Sequence, residues 1–423
     1  MNPSTAGPTL YGVVYKRTSE WFPPSAPGAT EMKFTLLPTV IISGLAFLPG
    51  TRAWGNYGTF SRDYYLRDPL ADRGDRTGHA IVATIAELRL NNGILPILLS
   101  ILNHTDSGTP SLASVASWAD EIQRPETGPW HYVKAVHDNP PESCRFPGPK
   151  ERLEDGQWVE DVGGANVLGA IRKYTDILRQ SRNNGSTLDN TEVSEALKFL
   201  IHFVGDMHQP FHTVTRLRGG NDAEVKWRNK ITSKSSGPWL FVEHDLIFEV
   251  DLHVLWDKVL VKKAIGATPK KWRKRLSEHD DIESHLHRSY YDRLIRMIQV
   301  EYIEKAWASE VESWTKCSTT KPLSHAGGID EQIVLQSKWR ASNTDDGSVC
   351  PWYWATGVHE LACEWIWPKE FDEKEEPISL DGDEYGGKIA KEMVVEKLLT
   401  KGGVRLAAVL NFVFAQREAG SGE

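Results

Sequence analysis

Cysteine is scarce in this chain, with four residues in 423. None of Cys144, Cys317, Cys350 and Cys363 stands in the CxxC spacing of a zinc ribbon. The even number is compatible with two disulfides formed in an oxidising compartment. Positive charge is also in deficit. A net charge of −8 argues against a broad basic face that grips duplex nucleic acid by neutralising many phosphates. Contact with phosphate through metal ions is still allowed. Sustained strand alternation is scarce, internal repeats are absent, and the acidic stretch 370–376 reads as a solvated loop. What is present, 40% hydrophobic residues and 16 tryptophans, supports a sizeable core and excludes a disordered or fibrous chain.

One apolar run stands near the N-terminus. Residues 32–53 carry Lys33, an apolar stretch of about fifteen residues and a Thr51-Arg52-Ala53 ending, the layout of a secretory signal and too short for a membrane span. Cleavage after Ala53 makes Trp54 the mature N-terminus. Residues 1–31, rich in Pro, Ser and Thr, precede Met32 and read as a gene-model extension, with translation expected from Met32. Asn103 and Asn184 head N-glycosylation sequons, a weak support for secretion.

From His79 onward the periodicity is helical. Helical patterns are expected over 80–90, 111–120, 167–178, 192–207, 252–263, 284–312 and 388–415. The expectation is an all-α fold, one mostly helical domain over 54–423 with long loops, of which 138–162 is the clearest. Two stretches fit poorly. Residues 59–78 are charged and turn-rich, and 230–251 interpose Ser- and Gly-rich sequence before an apolar piece. Both read as surface loops or as translated intron.

The chemistry concentrates in two places. His202 and Asp206 are four apart, as are His253 and Asp257, so on a helix each pair projects from one face and can share a metal. A lone pair of this kind is often only a surface hydrogen bond. His202, however, sits in the apolar run 196–204, where a buried imidazole needs a partner. Pro210 then ends the helix, with His212 just beyond. Imidazole and carboxylate together suit zinc, and closely spaced metals suit displacement at phosphorus, so phosphoester hydrolysis is the first expectation.

Taken in order, Trp54-Gly55, Ser117-Trp118-Ala119-Asp120, His131-Tyr132, Asp138-Asn139-Pro140-Pro141, the run from His202 to His212, Gly219-Gly220-Asn221 and the run from Leu252 to Asp257 resemble the secreted zinc-dependent single-strand-specific nucleases of fungi and plants. The resemblance runs from Trp54 to the C-terminal Lys401-Gly402-Gly403-Val404-Arg405 and implies a mostly helical fold with three zinc ions in a cleft. It implies cleavage of single-stranded DNA and RNA to 5′-phosphate products, and 3′-nucleotidase activity. By motif, one zinc is expected on Asp120, His131, His202 and Asp206, and a second on His212, His253 and Asp257. A third is expected on the amino group and carbonyl of Trp54 with His79 and a shared Asp206. Asp206 and Asp120 are the expected catalytic carboxylates.

An amine ligates only when free, so removal of the signal is expected to be a catalytic requirement. His79 should follow Trp54-Gly55 within a few residues, but 59–78 intervenes. Tyr132 is placed to stack on a base. Lys134 stands where such nucleases often carry Asp. His137 competes with His131 as the ligand, and His208 points off the ligand face and reads as a supporting or surface histidine. His104, His244, His279, His285, His287, His325 and His359 lack a motif and read as surface or core polar residues. The resemblance also implies a Cys144–Cys350 disulfide, leaving Cys317 with Cys363, and a monomer without stable protein partners. A zinc phospholipase C and a catalytically degenerate secreted paralogue are the alternatives, the first lacking a reason for the Tyr132 platform and the second favoured only by the 59–78 insertion.

Overall fold

The computed structural model describes residues 76–102, 111–122, 124–148, 151–153, 166–183, 186–234, 241–317, 348–374 and 376–415. Trp54, Asn103, Asn184, His104, His325, the candidate signal and extension, most of 59–78 and the end of the 138–162 loop lie outside these residues.

Three helices form the centre, α1 (Thr77–Glu87), α2 (Val167–Ser181) and α3 (Asn190–Asp206). Asn166 caps α2 by accepting from the Leu168 and Gly169 amides, and Asp189 caps α3 by accepting from the Glu192 amide. Beyond its first turns α3 is buried on nearly every side, through Phe199, Leu200, Ile201, Phe203 and Val204, and this apolar run ends at the break before Pro210. The fold thus drives a helix end that carries His202 and Asp206 into the interior.

The chain then makes a two-stranded antiparallel hairpin, β1 (Glu224–Lys234) and β2 (Phe241–Asp251), with Glu224 opposite Asp251 and Lys234 opposite Phe241. Of the stretch 230–251 expected as a loop, residues 230–234 end β1 and 241–251 form β2. Valine, phenylalanine and isoleucine in 241–251 favour extended backbone, but the alternation is too short and too mixed to announce it. Asp251 ends the ribbon and caps the next helix by accepting from the Val254 amide. That helix runs through a π-helical turn at Leu255–Val259 into α4 (Leu260–Ala267).

The expected helix over 284–312 is broken. α5 (Asp292–Met297) starts only after a turn in which Arg288 adopts φ 61°, and it continues as a π-helical segment, Ile298–Ala306, before Ala308–Trp314. The helix expected over 111–120 is a 3-10 turn, Leu112–Val115, and one short helical turn, Trp118–Glu121. The C-terminal region holds α6 (Pro351–His359) and the long α7 (Val394–Phe414). α7 packs along α1 at very close range. A Cβ on Gly403 would lie 2.5 Å from the Ile85 Cβ, so only glycine admits this approach.

The cysteine pairing expected from the resemblance is crossed. All four cysteines are bonded, but Cys144 pairs with Cys363 and Cys317 with Cys350. The nine-residue α6 separates Cys350 from Cys363, so they face different neighbours. Cys350 at its start meets the end of the Ala308–Trp314 helix, and Cys363 beyond it meets the 138–148 segment. Among the described residues no helix is long and apolar enough to cross a membrane.

Candidate metal centre

Six separate segments deliver the expected side chains to one cleft. His79 comes from the first turn of α1, Asp120 from the Trp118–Glu121 turn, and His131 from the end of the 3-10 segment Pro125–His131. His202 and Asp206 come from α3, His212 from the turn Pro210–Thr213, and His253 and Asp257 from the helix after the hairpin. Asp206 is the hub. Its Oδ1 faces His79 Nε2 at 3.3 Å, and its Oδ2 faces His131 Nδ1 at 2.9 Å and His202 Nε2 at 3.2 Å. Asp120 Oδ1 stands 3.3 Å from His202 Nε2 and 3.6 Å from His131 Nδ1. Asp257 closes the other side, 3.4 Å from His253 Nε2 and 3.9 Å from His212 Nε2.

Three of the imidazoles are oriented by main-chain carbonyls. His202 Nδ1 donates to Ala116 O at 2.8 Å, His212 Nδ1 to His131 O at 2.6 Å, and His253 Nδ1 to Gly219 O at 2.8 Å. A ring nitrogen that donates in this way leaves the other with its lone pair free, and here all three Nε2 atoms face carboxylates. His79 lies flat on His202, with ring centroids 4.0 Å apart and an interplanar angle of 11°. Gly205 permits this stacking, because a Cβ there would sit 2.5 Å from His79 Nδ1.

Burial pushes the Asp206 carboxyl up, but His202, His212 and hydrogen bonds from His131 and His202 outweigh it and hold it well below the usual carboxylate range. The same pairing works in reverse on the rings. Burial pushes His202 down, yet Asp206 and Asp120 raise it well above the ordinary imidazole value. Burial likewise opposes His212, which Asp206 and Asp257 raise to about 9. Asp257 is desolvated but held low by His253, His212 and the Gln209 amide. Such a site concentrates negative charge opposite imidazole nitrogens whose protons a divalent cation such as zinc can replace, the donor chemistry of that ion. Three sets of donor atoms, each within 4.8 Å of one another, meet this description: His79, His202 and Asp206; Asp120, His131 and His202; and His212, His253 and Asp257.

His79 therefore reaches Asp206 although residues 59–78 precede it in the chain. His137 is exposed, has φ 64° and belongs to none of the three sets, whereas His131 does. Tyr132 is half-buried beside His131, with Lys134 Nζ 4.5 Å over its ring. His208 is neither a surface residue nor part of the donor sets. It is buried against α7, where its Nδ1 donates to Val204 O and its Nε2 accepts from Arg405 Nη1 at 2.8 Å.

Two supporting residues carry no signal in the sequence. Gln209 donates to Asp257 Oδ1 at 2.8 Å while its own carbonyl accepts from the Phe211 amide at 2.6 Å, which fixes the carboxylate. His359, set aside among the motif-less histidines, is buried and bonded to Asp138. Beside His79 and Asp206 the cleft continues into a small pocket of about 60 Å³ walled by Val82, Trp256, Val261 and Leu398.

A family model described as S1/P1 Nuclease matches residues 75–415. The chain is 26% identical to Endonuclease 3 of Arabidopsis thaliana over 345 residues, covering 80% of this chain and 88% of that protein. It is 26% identical to Nuclease S1 of Aspergillus oryzae over 347 residues, covering 80% of this chain and 91% of that protein. With Nuclease P1 of Penicillium citrinum it shares 31% identity over 211 residues, 48% of this chain and 65% of that protein.

Proposed function

Because the chain belongs to the S1/P1 nuclease family, hydrolases that act on the phosphodiester bonds of nucleic acids, we propose that it is a secreted, monomeric zinc-dependent endonuclease. Its substrates are single-stranded DNA and RNA, cut to 5′-phosphate products, and 3′-nucleotides. The observation that carries this reading is the Asp206 carboxylate, which turns one oxygen to His79 and the other to His131 and His202. A carboxylate used from both sides is what a cluster of adjacent cations requires.

Asp120, His131, His202 and Asp206 hold one zinc, and His212, His253 and Asp257 a second. His79 and Asp206 hold a third with the amino group and carbonyl of Trp54. When bound, these ions supply Lewis acidity, which makes water a nucleophile near neutral pH and neutralises charge gathered on the phosphoryl oxygens. The chain's own part is positional. Main-chain carbonyls hold the rings, Gln209 holds Asp257, and Asp120, the most exposed of the donors, borders the solvent side where a phosphodiester arrives. Tyr132 offers a face for a base, and Lys134 places a cation beside it. The two disulfides agree with an oxidising extracellular destination.

The test is hydrolysis of single-stranded DNA by protein that begins at Trp54, stripped with EDTA and restored with Zn²⁺, alongside the same protein without residues 59–78. Activity restored by zinc in either form supports the reading. Failure of both forms to cut, with three zinc ions bound, would sink it.

A further inference from the structure

A second cavity lies behind the cleft, on the far side of Val395, a residue that borders both spaces. Its volume is about 200 Å³, and its walls are largely apolar, built from Leu260 and Ala264 of α4, Met297 of α5, and Ile389 and Met393 beside α7. Four polar side chains interrupt that lining: Glu396 on α7, Tyr302 on the π-helical segment Ile298–Ala306, Lys263, whose Nζ lies 4.7 Å over the Trp227 ring, and Thr268, whose hydroxyl donates to Ala264 O. Glu396 is only 5% exposed. Among the described residues its carboxyl has no side-chain partner and meets only its own backbone amide. Met393, at the kink that starts α7, takes φ 54° and ψ 37°, the left-handed conformation that strains a residue other than glycine. A second π-helical turn, Asp383–Gly387, brings Gly386 to the same wall. Irregular helix, strained backbone and a buried carboxyl without a side-chain partner meet at one cavity, and each is a feature that folding alone disfavours.

We propose that this cavity is a binding site for a nucleobase that presents two adjacent N–H donors, namely guanine, held by the Glu396 carboxylate with its ring between the apolar walls. The choice of ligand class rests on the proposed nuclease activity, which releases nucleotides next to this cavity, but the site itself does not. Size decides against larger occupants, since a space of about 200 Å³ is below the ~300–1,000 Å³ of pockets for drug-sized ligands. Polarity decides against a purely aliphatic one, which would leave Glu396 desolvated and unpaired. A carboxylate accepts two parallel N–H bonds, and the guanine edge with its ring N–H and exocyclic amine supplies them side by side, whereas the corresponding edge of adenine alternates donor and acceptor. Tyr302 lines the same cavity, its phenol raised by burial first and by the Glu396 charge second, so it faces the same ligand. Desolvation holds the Glu396 carboxyl up to about 7, while Lys263 of α4 and Tyr302 of the π-helical segment, the other titratable groups of the lining, lie above that range, so guanine binding should strengthen as the carboxylate forms between pH 6 and 8.

The test is calorimetric titration of the zinc-loaded full chain with guanosine and adenosine, which carry no phosphate to be hydrolysed, and with butylammonium as a simple cation. Parallel titrations use Glu396→Gln, Ala390→Trp at the exposed rim, and Tyr132→Ala to remove any stacking at the cleft. The expected result is guanosine binding at least tenfold tighter than adenosine, weakened at least tenfold in Glu396→Gln and Ala390→Trp, and retained in Tyr132→Ala. The proposal is overturned if guanosine does not bind, if adenosine or butylammonium binds as well, or if binding follows Tyr132 and ignores both cavity variants. Hydrolysis of single-stranded DNA by the same preparations reports on the nuclease reading separately, so either idea can fail alone.

Discussion

His359 Nε2 and Asp138 Oδ1 meet at 2.9 Å in the interior, although 221 positions separate them. Asp138 also accepts from the amides of Arg145, through the same oxygen, and Thr215, through the other. Thr215 returns a hydroxyl bond to Ala135 O, and Val133 donates to His212 O. The pair thus clamps the segment that carries His131 to the segment that carries His212, and so joins two of the donor sets.

Breaking that clamp should loosen the site without touching a ligand. We expect His359→Ala to cost about 1–3 kcal/mol in urea unfolding, because it leaves a buried Asp138 oxygen short of a partner. Zinc affinity should fall as well, and His359→Gln, which can still donate, should recover most of it. Equal zinc affinity in wild type and His359→Ala would show that the clamp is not transmitted to the centre.

Metal and protons compete for the same rings. In the metal-free protein the folded His212 holds its proton up to about 9, so its pairing with Asp206 and Asp257 adds stability that is whole below the unfolded value of 6.5 and fades as pH rises to about 9. Zinc needs the neutral ring, so its contribution runs the other way. The gap in melting temperature between zinc-loaded and EDTA-treated protein should therefore widen from pH 6.5 to 9. A gap independent of pH would mean that His212 is not among the metal's donors.

Asp292 gives a second pH dependence, remote from the donor sets. It is buried, its Oδ1 has no partner among the described residues, and desolvation lifts it to about 7 against the opposing pull of Arg296 and His287. A raised carboxyl costs stability as it ionises, so the penalty grows from pH 3.8 to about 7 and stays above it. Asp292→Asn should unfold at higher urea than wild type at pH 8, by about 1–3 kcal/mol, and lose that advantage at pH 4. The opposite order at pH 8 would show that the ionised carboxylate is satisfied in the fold.

Gly205→Ala should act on His79 alone. The added methyl would collide with the ring at 2.5 Å, so His79 must leave His202 and Asp206, while α3 gains helix propensity. The expected outcome is one zinc fewer per chain by elemental analysis, with far-UV circular dichroism unchanged. Full zinc occupancy would refute the need for the stacked ring.

How much of this was readable beforehand depended on the range of each signal. His202 with Asp206 and His253 with Asp257 lie one helical turn apart, so periodicity alone suffices to put each pair on one face. Asp120 and His131 come from short irregular turns and were visible only through their motif. The hairpin escaped because β2 borrows no strong alternation, and its pairing with β1 is a tertiary matter. The disulfides were crossed for the same reason, since spacing says nothing of which end of α6 each cysteine faces. Gln209 and His359 act through partners tens to hundreds of positions away, and no local pattern marks that condition.

The rings of His202, His212 and His253 are aimed by carbonyls of Ala116, His131 and Gly219. Every residue type owns a carbonyl, so no exchange of side chain at those positions can delete the acceptor. The aim of the donors is written into the course of the main chain rather than into particular letters. Neighbouring residues are then free to drift, and a chain only 26% identical to a distant relative can change most of its surroundings without turning a single imidazole.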